Sequence, residues 1–215
     1  MKIKHLTRGE LVDYVAAQLD HFFPDGKDDA RKVVERTVDD ALARLGRCID
    51  GVRMWQPGEF DHLHSSQYTI FLYYLANTAW RAMRAVRVCT KLFYLNKALN
   101  GFECFYDTEL PDVFFIGHTV GIVLARTTYS NYFAIYQNST VGKSHGEAPV
   151  LEEGVVMYPN TAILGRCRIA PRSYIAQGAS VVNKDTPGNC IVFESGRKLA
   201  FRAPERDILA DIFRI

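Results

Sequence analysis

The sequence predicts an α+β chain in which a helical N-terminal region leads into a left-handed parallel β-helix, and three observations carry that expectation. Up to about residue 100, apolar side chains recur at three- and four-residue spacing. From Leu110 onward that spacing gives way to an aliphatic residue at every sixth position. The last residues follow neither pattern and read as a tail, with a short helix near Pro204 to Phe213. The corresponding division is a helical domain over 1–100, a solenoid over 101–193 and a C-terminal tail over 194–215.

In the first region, Thr7 followed three residues later by Glu10 matches a capping box, and Leu11, Val15, Leu19 and Phe22 then line one helical face. Phe23-Pro24-Asp25-Gly26 ends that helix. A second helix is expected from Asp28 or Asp29, with Val34, Val38, Ala41, Leu42 and Leu45 on one face and its end near Gly46. After a loop at Gln56-Pro57-Gly58, the stretch from His64 to Leu99 has almost no Gly or Pro. It reads as one or two long helices carrying a basic stripe of Arg81, Arg84, Arg87 and Lys91, solvated or facing a partner.

In the second region Leu151, Met157, Ile163, Ile169, Ile175 and Val181 are six apart, and the residues four further on are nearly all small. Upstream, the register runs through Leu110, Ile116 and Ile122, slips by one to Tyr129, and continues through Ile135 and Val141. An aliphatic residue pointing into a narrow prism with small residues at its corners is the packing of a triangular coil of eighteen residues. The wider gap between Val141 and Leu151 is one repeat with a looped insertion, Gly142 to Pro149.

Composition excludes several classes. The chain has 215 residues, 48% apolar and 23% charged, which is a globular balance with enough length for a substantial core. A net charge of +2 gives no preference for nucleic acid or an anionic membrane. Five widely separated cysteines without a CxxC pair support neither a disulfide framework nor a cysteine zinc site, and point to a reducing cytoplasm. The N-terminal stretch is broken by charges before it reaches signal-peptide length, and the most apolar run, Tyr68 to Trp80, is too short to span a membrane. No phosphate-cradling glycine motif occurs. His62-x-His64 has no further ligands defined around it, so no metal is expected.

Three stretches resemble the hexapeptide acyltransferase superfamily, and more closely serine O-acetyltransferases: His118-Thr119-Val120-Gly121-Ile122-Val123, Val141-Gly142-Lys143-Ser144 with its loop, and Glu153-Gly154-Val155 leading into Ala162-Ile163-Leu164-Gly165. The resemblance implies acetyl-CoA as acyl donor and His118 as general base. Transfer from a thioester to a hydroxyl needs a group that removes the hydroxyl proton and returns it to the departing thiolate, and imidazole suits both steps near neutral pH. It also implies Glu103, fifteen residues earlier, as the acceptor that orients the imidazole, with Asp107, Glu109 and Asp112 as nearby competitors. Gly142, Lys143, Pro159 and Gln177 are the implied positions for acetyl-CoA. Val141, Pro159 and Gln177, eighteen apart, are expected to stack as a track for the pantetheine arm. Family members pack as trimers, so a homotrimer or a dimer of trimers is expected.

Two departures concern the acceptor. Where serine acetyltransferases carry an aspartate before the histidine, this chain has Gly117, and the loop ends in Glu147-Ala148-Pro149 in place of an Arg-His-Pro that holds a carboxylate. His145 either compensates from two residues earlier or is an exposed loop histidine, and it is the next candidate for the catalytic base after His118. The expected acceptor is therefore a neutral hydroxyl compound, such as a sugar of a polysaccharide or glycan precursor. The alternative is serine O-acetylation in cysteine biosynthesis, and a non-catalytic solenoid assembly protein is less favoured. A γ-class carbonic anhydrase shares the β-helix, but it needs three histidines where this solenoid has two.

Overall fold

Local signals set the helical half. In the computed structural model, which describes residues 1–26, 29–196 and 198–215, Thr7 caps α1 (Arg8–Phe22). Its hydroxyl accepts from the Glu10 N–H, and the Glu10 carboxylate accepts from the Thr7 N–H at 2.7 Å, the reciprocal pair foreseen in the sequence. Strand β1 (Lys2–Lys4) precedes α1 and pairs in parallel with β2 (Glu59–Asp61). Helix α2 (Ala30–Gly51) starts at Asp29, whose carboxylate accepts from the Lys32 N–H. Asp28, the other expected start, lies outside the described residues. α2 runs five residues past the expected stop at Gly46, because Leu45, Cys48 and Ile49 continue the buried stripe. A single glycine costs about 1 kcal/mol, less than one buried aliphatic side chain contributes.

The stretch after His64 forms two helices, α3 (Ser65–Met83) and α4 (Val86–Asn100), broken where Arg84 turns into the left-handed region at φ 50°. α3 is buried on every side from Ser66 to Ala79, which makes it the centre of the bundle. The basic stripe is engaged within the chain. Arg81 pairs with Glu109 at 3.8 Å, Arg84 lies over the Trp80 ring at 4.3 Å, and Arg87 and Lys91 both reach Asp25.

The second half is a solenoid of five coils. Coil one holds β3 (Phe102–Cys104) and β4 (Phe114–Gly117). Coil two holds β5 (Ile122–Leu124), β6 (Thr128–Tyr129) and β7 (Phe133–Tyr136). Coil three holds β8 (Thr140–Gly142), β9 (Val150–Leu151) and β10 (Val156–Met157). Coil four holds β11 (Ala162–Leu164), β12 (Arg168–Ile169) and β13 (Ser173–Ile175), and coil five holds β14 (Ser180–Val182) and β15 (Cys190–Ser195). Equivalent strands stack in parallel into three sheets, as a left-handed β-helix requires. The six-residue register forms the buried rows: Val141, Ile163 and Val181 on the first sheet, Tyr129, Leu151 and Ile169 on the second, and Ile116, Ile135, Met157 and Ile175 on the third. One position differs. Leu124, not Ile122, stacks under Val141, while Ile122 lies over Phe102 at the adjoining corner. Corner hydroxyls satisfy turn carbonyls: Thr161 donates to the Tyr158 carbonyl at 2.8 Å, and Ser173 donates to that of Ala170 at 2.7 Å.

The tail returns to the helical half. After β16 (Lys198–Arg202), antiparallel to β15, helix α5 (Ile208–Ile212) packs on the solenoid, and Phe213 bridges to Val52. The Arg214 guanidinium then donates to the carbonyls of Asp50, Val52, Arg53 and Trp55, at 2.5–3.0 Å, at the unpaired end of α2. Arg214→Ala is expected to cost about 1–2 kcal/mol, since several modest hydrogen bonds are lost but water can replace them. In a thermal melt that is a Tm lower by roughly 3–6 °C. Arg214→Lys should recover little of it, because an ammonium lacks the planar fork.

Candidate active site

His118 leaves the coil through an insertion. Gly117 stands opposite Tyr136 in the register of β4 and β7. On the far side of the corner the Asn138 N–H donates to the Val120 carbonyl, the Asn160 N–H to that of Gln137 and the Gly178 N–H to that of Pro159. Val120, Gln137, Pro159 and Gln177 are therefore one column. Between Gly117 and Val120 the lower coil has two residues, His118 and Thr119, where the coil above passes directly from Tyr136 to Gln137. Thr119 folds inward and is 6% exposed, while His118 turns outward at φ 53°, a conformation that costs a non-glycine residue about 1 kcal/mol. The imidazole is exposed and makes no hydrogen bond among the described residues.

The floor of this corner is the end of the helical region. Gly101 caps α4 at φ 63°, and its carbonyl accepts from the N–H groups of both Gly121 and Ile122. A Cβ on Gly101 would lie 3.1 Å from the Gly121 nitrogen and 3.2 Å from the Val120 Cα. Glycine is required there by both the backbone angle and the approach.

The structure places Glu103 on the outer face of β3, next to Val123 of the coil above, with its carboxylate 2.7 Å from the Lys97 ammonium. No hydrogen bond joins it to His118 among the described residues. The competing carboxylates are held elsewhere: Asp107 by Arg126, Glu109 by Arg81 and Asp112 by Arg47.

For the expected cofactor row, the structure retains two members and corrects the third. Pro159 and Gln177 are neighbours in the column, but Val141 is buried inside the prism and stacks under Ile163. Gln137 takes its place. The reason is the loop after β8: Val141 and Ile163 are twenty-two residues apart where Ile163 and Val181 are eighteen, so four residues leave the coil. Subtracting that insertion before counting coils would have found Gln137 in the sequence. Its Oε1 is buried without a hydrogen-bond partner among the described residues, an acceptor left open two coils below Gln177.

The loop itself is a small hairpin. Ser144 and Glu147 exchange both backbone hydrogen bonds, and His145-Gly146 form its two-residue tip with φ of 51° and 84°. Thr127 anchors its end by donating to the Pro149 carbonyl. Lys143 and His145 are exposed, and Gly142 packs under Leu164. This hairpin leaves the corner between the first and second sheets, whereas His118 stands at the corner between the third and first. Within one chain the two histidines are not brought together.

All five cysteines are buried, at most 5% exposed. Burial pushes the Cys48 thiol up to about 12, with the Phe114 carbonyl accepting from it, and the Cys89 thiol up to about 11. Neither is a thiolate near neutral pH, which argues against a cysteine acyl-enzyme. Accordingly, a disulfide reagent at pH 8 should label no thiol of the native protein within minutes and all five after unfolding. Rapid native labelling would show an accessible thiol.

No family model matches the chain. Over 133 residues, 59% of its length, it is 30% identical to the serine acetyltransferase of Synechococcus elongatus, of which it spans about half, 54%. A crystal structure of serine acetyltransferase from Brucella abortus superposes with a TM-score of 0.71 at 21% identity, over 91% of this chain and 83% of that one. A serine acetyltransferase in complex with CoA superposes with a TM-score of 0.69 at 18% identity, over 93% and 86%. The resemblance carried by the hexapeptide register and the His118 segment is thus borne out: the chain is similar to serine acetyltransferases in sequence, and its fold is theirs, helical region included.

Proposed function

We propose that the protein is an acetyl-CoA-dependent O-acetyltransferase with His118 as its general base. The observation that carries this reading is the two-residue insertion that pushes an imidazole, without a hydrogen-bond partner among the described residues, out of the coil beside the Val120–Gln177 column, in a chain similar to serine acetyltransferases. In the proposed reaction His118 takes the proton of the acceptor hydroxyl as its oxygen attacks the thioester carbonyl. The tetrahedral oxyanion collapses, the C–S bond breaks, and the CoA thiolate recovers the proton from the imidazolium. Glu103 is the proposed orienting carboxylate; to reach His118 it must leave Lys97. The backbone of Gly142, Lys143, Pro159 and Gln177 is proposed to line the pantetheine arm.

For the acceptor, the relatives support serine, the second of the two acceptors weighed from sequence, better than a sugar. The sugar reading is retained on one observation: Gly117 supplies no carboxylate directly before His118, and Glu147-Ala148-Pro149 supplies a negative charge and no guanidinium where a carboxylate would have to be held. We also propose that the chain works as a homotrimer, or a dimer of trimers, in the cytoplasm. Val120, Val123, Val150 and Val182 are exposed on the solenoid, and a cavity of about 560 Å³ lined by Arg44, Arg47 and Arg81 lies in the helical half, away from His118. A second copy would supply the missing wall. In this reading 1–100 serves assembly, 101–193 catalysis, and 194–215 ties the two together.

The test is thiol release from acetyl-CoA with L-serine and with simple sugars. His118→Ala is expected to lower kcat by ~10²–10⁴-fold with CoA binding nearly intact, and Glu103→Gln to cost less. Near-wild-type turnover by folded His118→Ala would end the assignment. Efficient turnover of serine, with none of sugars, would remove the second reading.

A further inference from the structure

The outer face of the third sheet carries an aromatic ledge beside the proposed base. In the register of β4, β7 and β10 the outward positions after Ile116, Ile135 and Met157 are Gly117, Tyr136 and Tyr158. The two tyrosine rings stack with centroids 5.8 Å apart and planes 11° from parallel. Phe115 meets the Tyr136 ring edge-on at 5.7 Å, and Trp55, from the loop after α2, backs Phe115 at 5.5 Å. The ledge is thus fixed to the helical region.

Gly117 is what lets the ledge approach His118. A Cβ at position 117 would lie 2.6 Å from two carbons of the Tyr136 ring and 3.0 Å from the Phe115 ring. The tyrosine therefore fills the volume that any side chain preceding His118 would need. Both hydroxyls are without a hydrogen-bond partner among the described residues, and burial raises both above the ordinary tyrosine value, so they stay protonated and can donate. The charges that act on Tyr158, Arg206 and Asp211, are of opposite sign.

We infer that Tyr136 and Tyr158 form the acceptor subsite and that it takes the apolar face of a neutral pyranose ring, presenting one ring hydroxyl to His118. This rests on the acetyl-transfer reading and chooses between its two acceptors. A sugar ring offers a flat C–H face to an aromatic platform and hydroxyls to its phenols, without an unpaired charge to desolvate. A free amino acid would bring an ammonium and a carboxylate to a surface whose two neighbouring charges, Arg206 and Asp211, already pair with each other at 3.3 Å, and an exposed cation–π contact contributes only about 0.5–1 kcal/mol.

Two measurements test it separately from the reaction. Saturation-transfer NMR of the unmodified protein with methyl β-D-glucopyranoside and methyl β-D-galactopyranoside, without acetyl-CoA, should show the C–H face of at least one sugar receiving magnetisation at millimolar concentration. Tyr136→Ala and Tyr158→Ala should abolish it. In the thiol-release assay Tyr136→Ala should raise the KM for the sugar about tenfold, as expected for loss of a stacking contact worth ~1.4 kcal/mol, and leave the KM for acetyl-CoA within twofold. Gly117→Ala, which displaces the ring without removing it, should raise the sugar KM as well, so the inference does not depend on one truncation folding. No sugar signal, or a rise in the acetyl-CoA KM in place of the sugar KM, would overturn the subsite. A sugar signal without any turnover would leave the subsite standing and overturn the transferase.

Discussion

Everything in the second half of this protein depends on one constraint: each inward side chain must rest on the one a coil below. Parallel backbone hydrogen bonds fix the axial spacing, and the narrow prism admits one aliphatic residue per face. A coil can therefore absorb extra residues only at its corners or by expelling them. Of the two at the corner between β4 and β5, Thr119 folds into the corner and His118 is turned outward. Four after β8 become the hairpin with His145 at its tip. The positions available for chemistry are those the core rejects, and it holds their bases in place while leaving their side chains free.

Many contacts tie the helical half to the solenoid, among them the Cys48 thiol on the Phe114 carbonyl and the Tyr73 hydroxyl on the Thr108 carbonyl. Gly101 ends α4 directly beneath Val120 and Gly121, Trp55 supports the Phe115 edge of the aromatic row, and the chain terminus closes over the end of α2 through Arg214. A displacement of the bundle would therefore reach His118 through backbone contacts, with no flexible linker between.

The fold was legible because stacking imposes a period that residue identity reveals. Ile163, Ile169, Ile175 and Val181 carry it without interruption, and the capping box at Thr7 is a three-residue signal. What was not legible depends on how far residues depart from that period. Assigning Ile122 to the inward row placed the slip after His118, when the extra residues are His118 and Thr119 themselves. Assigning Val141 to the outer column ignored the loop that follows it, and concealed Gln137. Gly46 reads as a helix stop locally and is overruled by Cys48 and Ile49. Arg214 and the pairing of Tyr136 with Gly117 are contacts between distant segments, which no local pattern encodes.

Gly117 also shows how one position constrains the side chains that can stand beside His118. A carboxylate before His118 would need a Cβ where the Tyr136 ring lies, so the charged and the aromatic arrangements exclude each other sterically. Moving the ring aside would expose Phe115 and unstack Tyr158, at a cost on the order of 1 kcal/mol per aromatic contact beyond the area lost. Placing a charge there as well would require a counterion in the same space, since an ionised group at a partly buried aromatic edge is poorly solvated. The cation that acts on this row, Arg206, is already paired with Asp211. A single substitution at Gly117 therefore cannot place a carboxylate before His118 without also repacking Tyr136.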